Sequence, residues 1–133
     1  MGFELAVRVY WEDTDAGGIV FYANYLKFFE RARTEWLRSR GIAQGLLREQ
    51  SGGMFVVSAA SLRYLRAARL DDELLVTANL QEAGRVSMTI AQAARDKATG
   101  ALLCDGTVRI GWVDAATLKP ARIPSNILEA LKQ

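Results

Sequence analysis

Asp13 and Asp15 stand two residues apart and are followed, after Ala16, by a pair of glycines, Gly17 and Gly18. The run from Trp11 to Tyr25 leads them out of an alternating segment and into a helical one. Glycine lets a backbone approach a ligand closely. A helix N-terminus offers free N–H groups and a partial positive charge. A carboxylate that attacks, or deprotonates water, beside donors for an oxygen gaining charge is the equipment of an acyl-transfer site. One oxyanion donor lowers such a barrier by about 3–4 kcal/mol. Asp-rich glycine loops also serve simply as turns, so an Asx turn closed by Asp13 or Asp15 stands beside the catalytic reading.

The chain has no histidine. That removes Ser-His-Asp and Cys-His catalysis together with histidine metal sites, and leaves acid–base work to Asp, Glu, Tyr, Lys or Cys. Cys104 is the one cysteine, so no disulfide forms within the chain, in keeping with a reducing cytoplasm. Lying in a strand pattern with no histidine as base, Cys104 reads as a small core residue. Seventeen basic against fifteen acidic residues leave a net charge of +2, too balanced to indicate nucleic acid. No stretch approaches the ~20 apolar residues that span a bilayer. Glu4 and Arg8 interrupt the N-terminal segment, which lacks the basic start and apolar run of a signal peptide. The expectation is a cytoplasmic protein without a transmembrane segment.

The elements that must hold this loop follow from periodicity. With 133 residues, half of them apolar, the chain suits a single domain, 1–133, able to build a core without staples. Phe3, Leu5, Val7, Val9 and Trp11 alternate with polar neighbours and predict a strand with one buried face. Asn24 is placed to cap a helix. Tyr25, Phe28, Phe29, Ala32, Trp36 and Leu37 recur at helical spacing, with Lys27, Glu30, Arg31, Arg33, Glu35 and Arg38 opposite and Gly41 as the stop. Arg31 and Glu35, four apart, are spaced to pair. Strands are predicted over 54–66, 73–82, 85–95 and 102–113, with reversals at Ala83-Gly84 and Asp96–Gly100. A short helix near Pro124 or Ser125 turns Ile127, Leu128 and Leu131 inward. The order is strand, long helix, four strands: an α+β protein with one antiparallel sheet packed on a helix. Its open edges and faces call for homo-oligomerisation.

The run EDTDAGGIVFYANYLKFFERARTEWLR, Glu12 to Arg38, resembles the signature of the 4-hydroxybenzoyl-CoA thioesterase family, and within it the branch of Tol-Pal-associated acyl-CoA thioesterases. A second segment, RAARLDDELLV from Arg66 to Val76, is similar to the family's entry into its third strand. The resemblance extends over nearly the whole chain. It implies a hotdog fold, a five-stranded antiparallel sheet wrapped around one long central helix. It implies hydrolysis of an acyl-CoA, short aliphatic or aromatic, to acid and CoA with no cofactor and no metal. Dimers or tetramers with active sites between subunits, and acyl carrier protein as an alternative carrier, are further implications. Asp15 matches the family's catalytic carboxylate, as nucleophile through a mixed anhydride or as general base on water. Backbone N–H groups near Tyr22 would polarise the carbonyl, and Gly17 and Gly18 would shape the turn. Many members of the Tol-Pal-associated branch carry histidine where this chain has Tyr22. Tyrosine there is common in the aryl-CoA enzymes, which moves the expected substrate somewhat toward aryl groups.

Other residues carry two readings each. Asn24 touches substrate or only caps the helix. Phe55, Val57 and Ser58 line an acyl pocket or form ordinary strand core. Arg63, Arg66 and Arg69 receive the phosphates of CoA or make a solvated face; Arg85, Arg109 and Arg122 are weaker candidates for the same role. Glu30 is a second active-site carboxylate or part of a salt-bridged helix face, and Trp36 and Trp112 are packing residues. A hotdog hydratase would need a histidine. A non-catalytic acyl-binding or scaffold module is the rival from another class.

Overall fold

The computed structural model describes residues 2–132. Strand β1 (Phe3–Arg8) leads through a 3-10 turn (Trp11–Asp13) and a loop into helix α1 (Asn24–Ser39). A short helix α2 (Gln44–Ser51) follows, then β2 (Gly53–Tyr64), β3 (Glu73–Ala83), β4 (Ser87–Asp96), β5 (Leu102–Asp114) and a closing helix α3 (Ser125–Lys132). The five strands make one sheet in the order β1-β3-β4-β5-β2, every pair antiparallel. β3, β4 and β5 form a meander because their links are short. The β4–β5 link is tightened by Asp96, whose Oδ1 accepts the Ala98 N–H at 2.8 Å. The α1 and α2 segment separates β1 from β2 and sends them to opposite edges.

The inner face of the sheet follows the period of two. Leu74, Val76 and Ala78 of β3, Met88, Ile90 and Ala94 of β4, and Cys104, Val108, Ile110 and Trp112 of β5 are all buried. Onto them α1 lays Phe28, Phe29, Ala32, Trp36 and Leu37, the predicted stripe, each also buried. Burying one large side chain contributes about 1.5–3 kcal/mol, so the α1 stripe is what holds this helix against the sheet. α1 ends where expected: Gly41 takes φ 81°, and the Ile42 N–H returns to the Leu37 carbonyl at 2.9 Å. Among the described residues no helix is long and apolar enough to cross a membrane.

Four local expectations are corrected. β1 stops at Arg8, because its partner β3 begins at Glu73. Beyond it the Asp13 carboxylate captures the Tyr10 N–H at 2.8 Å and winds the chain into the 3-10 turn, leaving Trp11 79% exposed. α2 was not foreseen; it buries no residue, so it lacks the apolar stripe that reveals a helix. Glu35 pairs with Arg38 at 3.1 Å rather than with Arg31, whose guanidinium lies 6.0 Å from the Phe28 ring centroid. Arg33, assigned to the polar face, is buried, and its Nη1 donates to Gln92 Oε1 at 2.9 Å. Gln92 in turn donates to the carbonyls of Phe29 (3.0 Å) and Thr77 (3.1 Å), a polar tie between helix and sheet.

Candidate active site

The loop between the 3-10 turn and α1 folds back on itself. The Asp15 N–H donates to the Ile19 carbonyl at 2.9 Å, and the Gly18 N–H donates to the Asp15 carbonyl at 3.0 Å. Gly18 permits this by taking φ 77°, a conformation that strains other residues. Asp15 sits exposed at the head of the turn, its Oδ1 accepting the Gly17 N–H at 2.8 Å. The Asx turn is therefore real, but it uses one oxygen and leaves Oδ2 without a donor among the described residues.

Asp13 is placed differently. It is 4% exposed, and both oxygens are engaged: Oδ1 accepts from Asn24 Nδ2 and Oδ2 from the Tyr10 N–H, each at 2.8 Å. Of the two carboxylates, Asp13 holds the loop together and Asp15 is presented to solvent. Asn24, only 6% exposed, is the first residue of α1 and not its cap, which is Ala23. Its amide reaches back to Asp13 and pins the start of the helix to the loop, so the capping expectation is corrected. Asparagine caps through its oxygen accepting an N–H, whereas here the amide nitrogen donates.

In the first turn of α1, the Asn24, Tyr25 and Leu26 N–H groups bond to the carbonyls of Phe21, Tyr22 and Ala23. The N–H groups of Tyr22 and Ala23 themselves have no acceptor among the described residues. The Tyr22 ring is exposed and packs edge-on to Tyr64 with centroids 5.8 Å apart. Tyr22, Tyr25, Tyr64 and Arg66 line a cleft of about 300 Å³ together with Ile19 and Val20. Burial pushes the Tyr25 hydroxyl up to about 12, so it stays protonated at neutral pH.

A second cavity, about 370 Å³, lies between the later turns of α1 and strand β2. Phe55 and Val57 line it with Leu37 and Ile110, and Glu30, Arg33, Thr34 and Gln44 supply its polar wall. Ser58 does not line it; at the β2 bulge its hydroxyl donates to the Arg109 carbonyl at 3.3 Å. Glu30 makes no salt bridge among the described residues and accepts instead from the Thr34 hydroxyl at 3.0 Å.

The three candidate arginines separate. Arg63 is held by Asp105 through two hydrogen bonds, 3.0 and 2.9 Å, across to β5. Arg66 lines the tyrosine cleft. Arg69 bridges Ile19 of the loop through its backbone, while its N–H donates to Asp72 Oδ2 at 2.9 Å. Arg109 reaches Ser87 at 3.1 Å, and Arg85 and Arg122 line a separate cavity beside α3. Burial, and then the neighbouring Asp105, push the Cys104 thiol up to about 12, which leaves it no thiolate character. Sequence reasoning missed Arg33, Thr34, Gln44, Tyr64 and Gln92. Helical or strand position was visible for most of them, but nothing local to any of them marks a cavity wall.

A family model described as the thioesterase-like superfamily matches residues 9–131. The chain belongs to that superfamily. Relatives agree with the assignment. This thioesterase-like chain is 41% identical over 129 residues to the acyl-CoA thioesterase YbgC of Haemophilus influenzae, an alignment spanning 97% of this chain and 93% of the relative. It is 38% identical over 131 residues to the acyl-CoA thioester hydrolase YbgC of Escherichia coli O6:H1, spanning 98% and 96%. Its fold superposes on Slr0204, a 1,4-dihydroxy-2-naphthoyl-CoA thioesterase from Synechocystis, with TM-score 0.92, 20% identity and coverage of 100% and 97%. The sheet wrapped on α1 is thus the hotdog arrangement expected from the Glu12–Arg38 run.

Proposed function

We propose that the protein hydrolyses an acyl-CoA thioester to the free acid and CoA, with Asp15 as its catalytic carboxylate. The observation that carries this reading is the division of labour in the loop: Asp13 is fully engaged and buried, while Asp15 keeps Oδ2 free beside a helix entry with two unclaimed N–H groups. The N–H groups of Tyr22 and Ala23 receive the thioester oxygen as it gains charge. Asp15 then acts in one of two balanced ways. Oδ2 attacks the carbonyl carbon, expels CoA as thiolate and leaves a mixed anhydride that water cleaves. Alternatively, Oδ2 takes a proton from a water that attacks the same carbon. Support for the CoA ester as substrate comes from the YbgC relatives, named as acyl-CoA thioesterases.

The acyl group, short aliphatic or aromatic, takes the cavity lined by Phe55 and Val57, which lies near the low end of the ~300–1,000 Å³ usual for small-molecule sites. Arg66 and Arg69 flank the cleft and its loop and serve the phosphates of CoA; acyl carrier protein is the alternative carrier. The protein works as a homo-oligomer, a dimer or tetramer, in the cytoplasm. Its long edge strand β2, with Val57 exposed, and the exposed Trp11 and Tyr22 rings are surfaces that a second copy would cover.

The test is thiol release from a panel running from acetyl- through benzoyl- to palmitoyl-CoA. Turnover by the wild type that drops at least about 100-fold in Asp15→Asn supports the assignment. Equal turnover by the variant refutes the role of Asp15. Tight acyl-CoA binding without turnover on any member replaces hydrolysis with a binding module.

A further inference from the structure

We infer that Arg33 is a specificity-determining residue, receiving an oxygen acceptor carried on the distal half of a short acyl group in the cavity between α1 and β2. The inference deepens the thioesterase reading and rests on it.

Arg33 is 8% exposed, yet none of the ion pairs among the described residues involves it. Among the described residues its hydrogen bonding is limited to Nη1 donating to Gln92 Oε1, whereas a guanidinium carries five N–H donors. Burial of a cation without compensating acceptors is unfavourable, and it lowers the affinity of Arg33 for its proton, an effect that the Glu30 charge partly offsets. Gln92 is a rigid anchor, since its amide nitrogen is held by the Phe29 and Thr77 carbonyls. Nη1 is fixed on the sheet side and Arg33 also lines the cavity, so its remaining donors are available to a group that fills that space.

The neighbours do not compete for that role. The Thr34 hydroxyl spends its proton on Glu30 Oε2 at 3.0 Å, and Gln44 spends one amide N–H on Thr34 Oγ1 at 3.2 Å, which leaves Gln44 a single neutral donor, weaker than a guanidinium. Beyond Glu30, Thr34 and Gln44 the wall is apolar: Leu37, Phe55, Val56, Val57 and Ile110. A purely alkyl acyl group seals the cavity from water and leaves the guanidinium unpaired. A group bearing oxygen satisfies it, and a site built to make that bond discriminates against the analogue that lacks it. The acceptor is either a neutral hydroxyl or a terminal carboxylate. Exposed Glu30 at the cavity wall opposes the carboxylate and ranks the hydroxyl first.

The experiment compares kcat/KM for butyryl-, 3-hydroxybutyryl- and succinyl-CoA, all of four carbons, in the wild type, Arg33→Met and Gln92→Glu. The expected wild-type preference for an oxygen-bearing substrate over butyryl-CoA is about tenfold or more, and in both variants the ratio falls to within about threefold. Leadership by 3-hydroxybutyryl-CoA identifies the hydroxyl, and leadership by succinyl-CoA the carboxylate. Gln92→Glu hands Arg33 an internal carboxylate but turns an oxygen toward the Phe29 and Thr77 carbonyls, so circular dichroism checks the fold of each variant. Arg33→Lys, which keeps a cation on Gln92 Oε1 without the guanidinium fork, replaces either that fails to fold, with the same fall in the ratio expected. A wild type that treats all three substrates alike, or a preference that survives both variants, overturns the role of Arg33 and leaves the thioesterase reading intact. Absence of thiol release across the wider acyl-CoA panel brings down both.

Discussion

Asp13 and Asp15 are the same residue type two positions apart, and the structure assigns them opposite responses to the same Asp→Asn change. Asp15 is exposed, and its protein hydrogen bond is to the Gly17 N–H, accepted by Oδ1. An asparagine oxygen accepts that bond equally well, so Asp15→Asn leaves stability within about 0.5 kcal/mol of the wild type. It removes the group that attacks or deprotonates, and turnover falls at least about 100-fold, equivalent to about 2.7 kcal/mol of barrier. Asp13 is buried and accepts with both oxygens, from Tyr10 N–H and Asn24 Nδ2. An amide has one acceptor oxygen, so in Asp13→Asn a nitrogen donor confronts one of those donors. Losing a hydrogen bond to a charged group costs about 1.5–3 kcal/mol, a fall in Tm of several degrees for a chain of this size. Turnover declines only as far as the start of α1 shifts. The assays are thermal melts followed by circular dichroism and thiol release from acyl-CoA on the same preparations. The reasoning is refuted if Asp15→Asn melts several degrees lower than the wild type, or if Asp13→Asn proves as stable as wild type and as inactive as Asp15→Asn.

Three further outcomes are expected. Cys104→Ala retains acyl-CoA turnover and loses about 1 kcal/mol of stability, and the wild-type thiol resists iodoacetamide at pH 8 until denaturant is added; rapid native alkylation would contradict its burial. Arg66→Ala raises KM for acyl-CoA about two- to fivefold, the contribution of an exposed ion pair, whereas Arg63→Ala leaves KM unchanged because Arg63 is committed to Asp105; equal effects would return Arg63 to the binding site. Stability declines in acid through Asp105, lowered by its hydrogen bond from Arg63, and Asp114, lowered by the N–H groups of Thr117 and Ala116. Their folded values lie below the unfolded value, so the stabilisation is present above the ordinary aspartate range near ~3.9 and is lost as pH falls through the depressed values. Melts between pH 6 and pH 2 are therefore shallower in Asp114→Ala, and an identical pH profile would remove Asp114 from the account.

Much of this protein was readable in its sequence. The period of 3.6 placed α1 and its buried stripe, the period of two placed four of the strands within a few residues, and turn chemistry marked Asp96–Gly100 and Gly41. Those signals are local, and the hydrophobic effect that creates them acts on every turn of helix or pair of strand residues alike. The Asp-x-Asp-x-Gly-Gly run announced an unusual loop for the same reason.

What tertiary structure alone decided was the fate of individual polar groups. Asp13 became a strut because Asn24 and Tyr10 converge on it, while Asp15 stayed free. Arg63 left the basic cluster because antiparallel pairing with β5 set Asp105 beside it, forty-two positions away in the chain. Arg33 looked like one more charge on a solvated helix face, yet it points inward because Gln92, fifty-nine positions away, waits on the sheet. Periodicity reports the average environment of a face. Which charged or amide side chain is drawn inside depends on a partner brought from far along the chain, and no local pattern contains that partner.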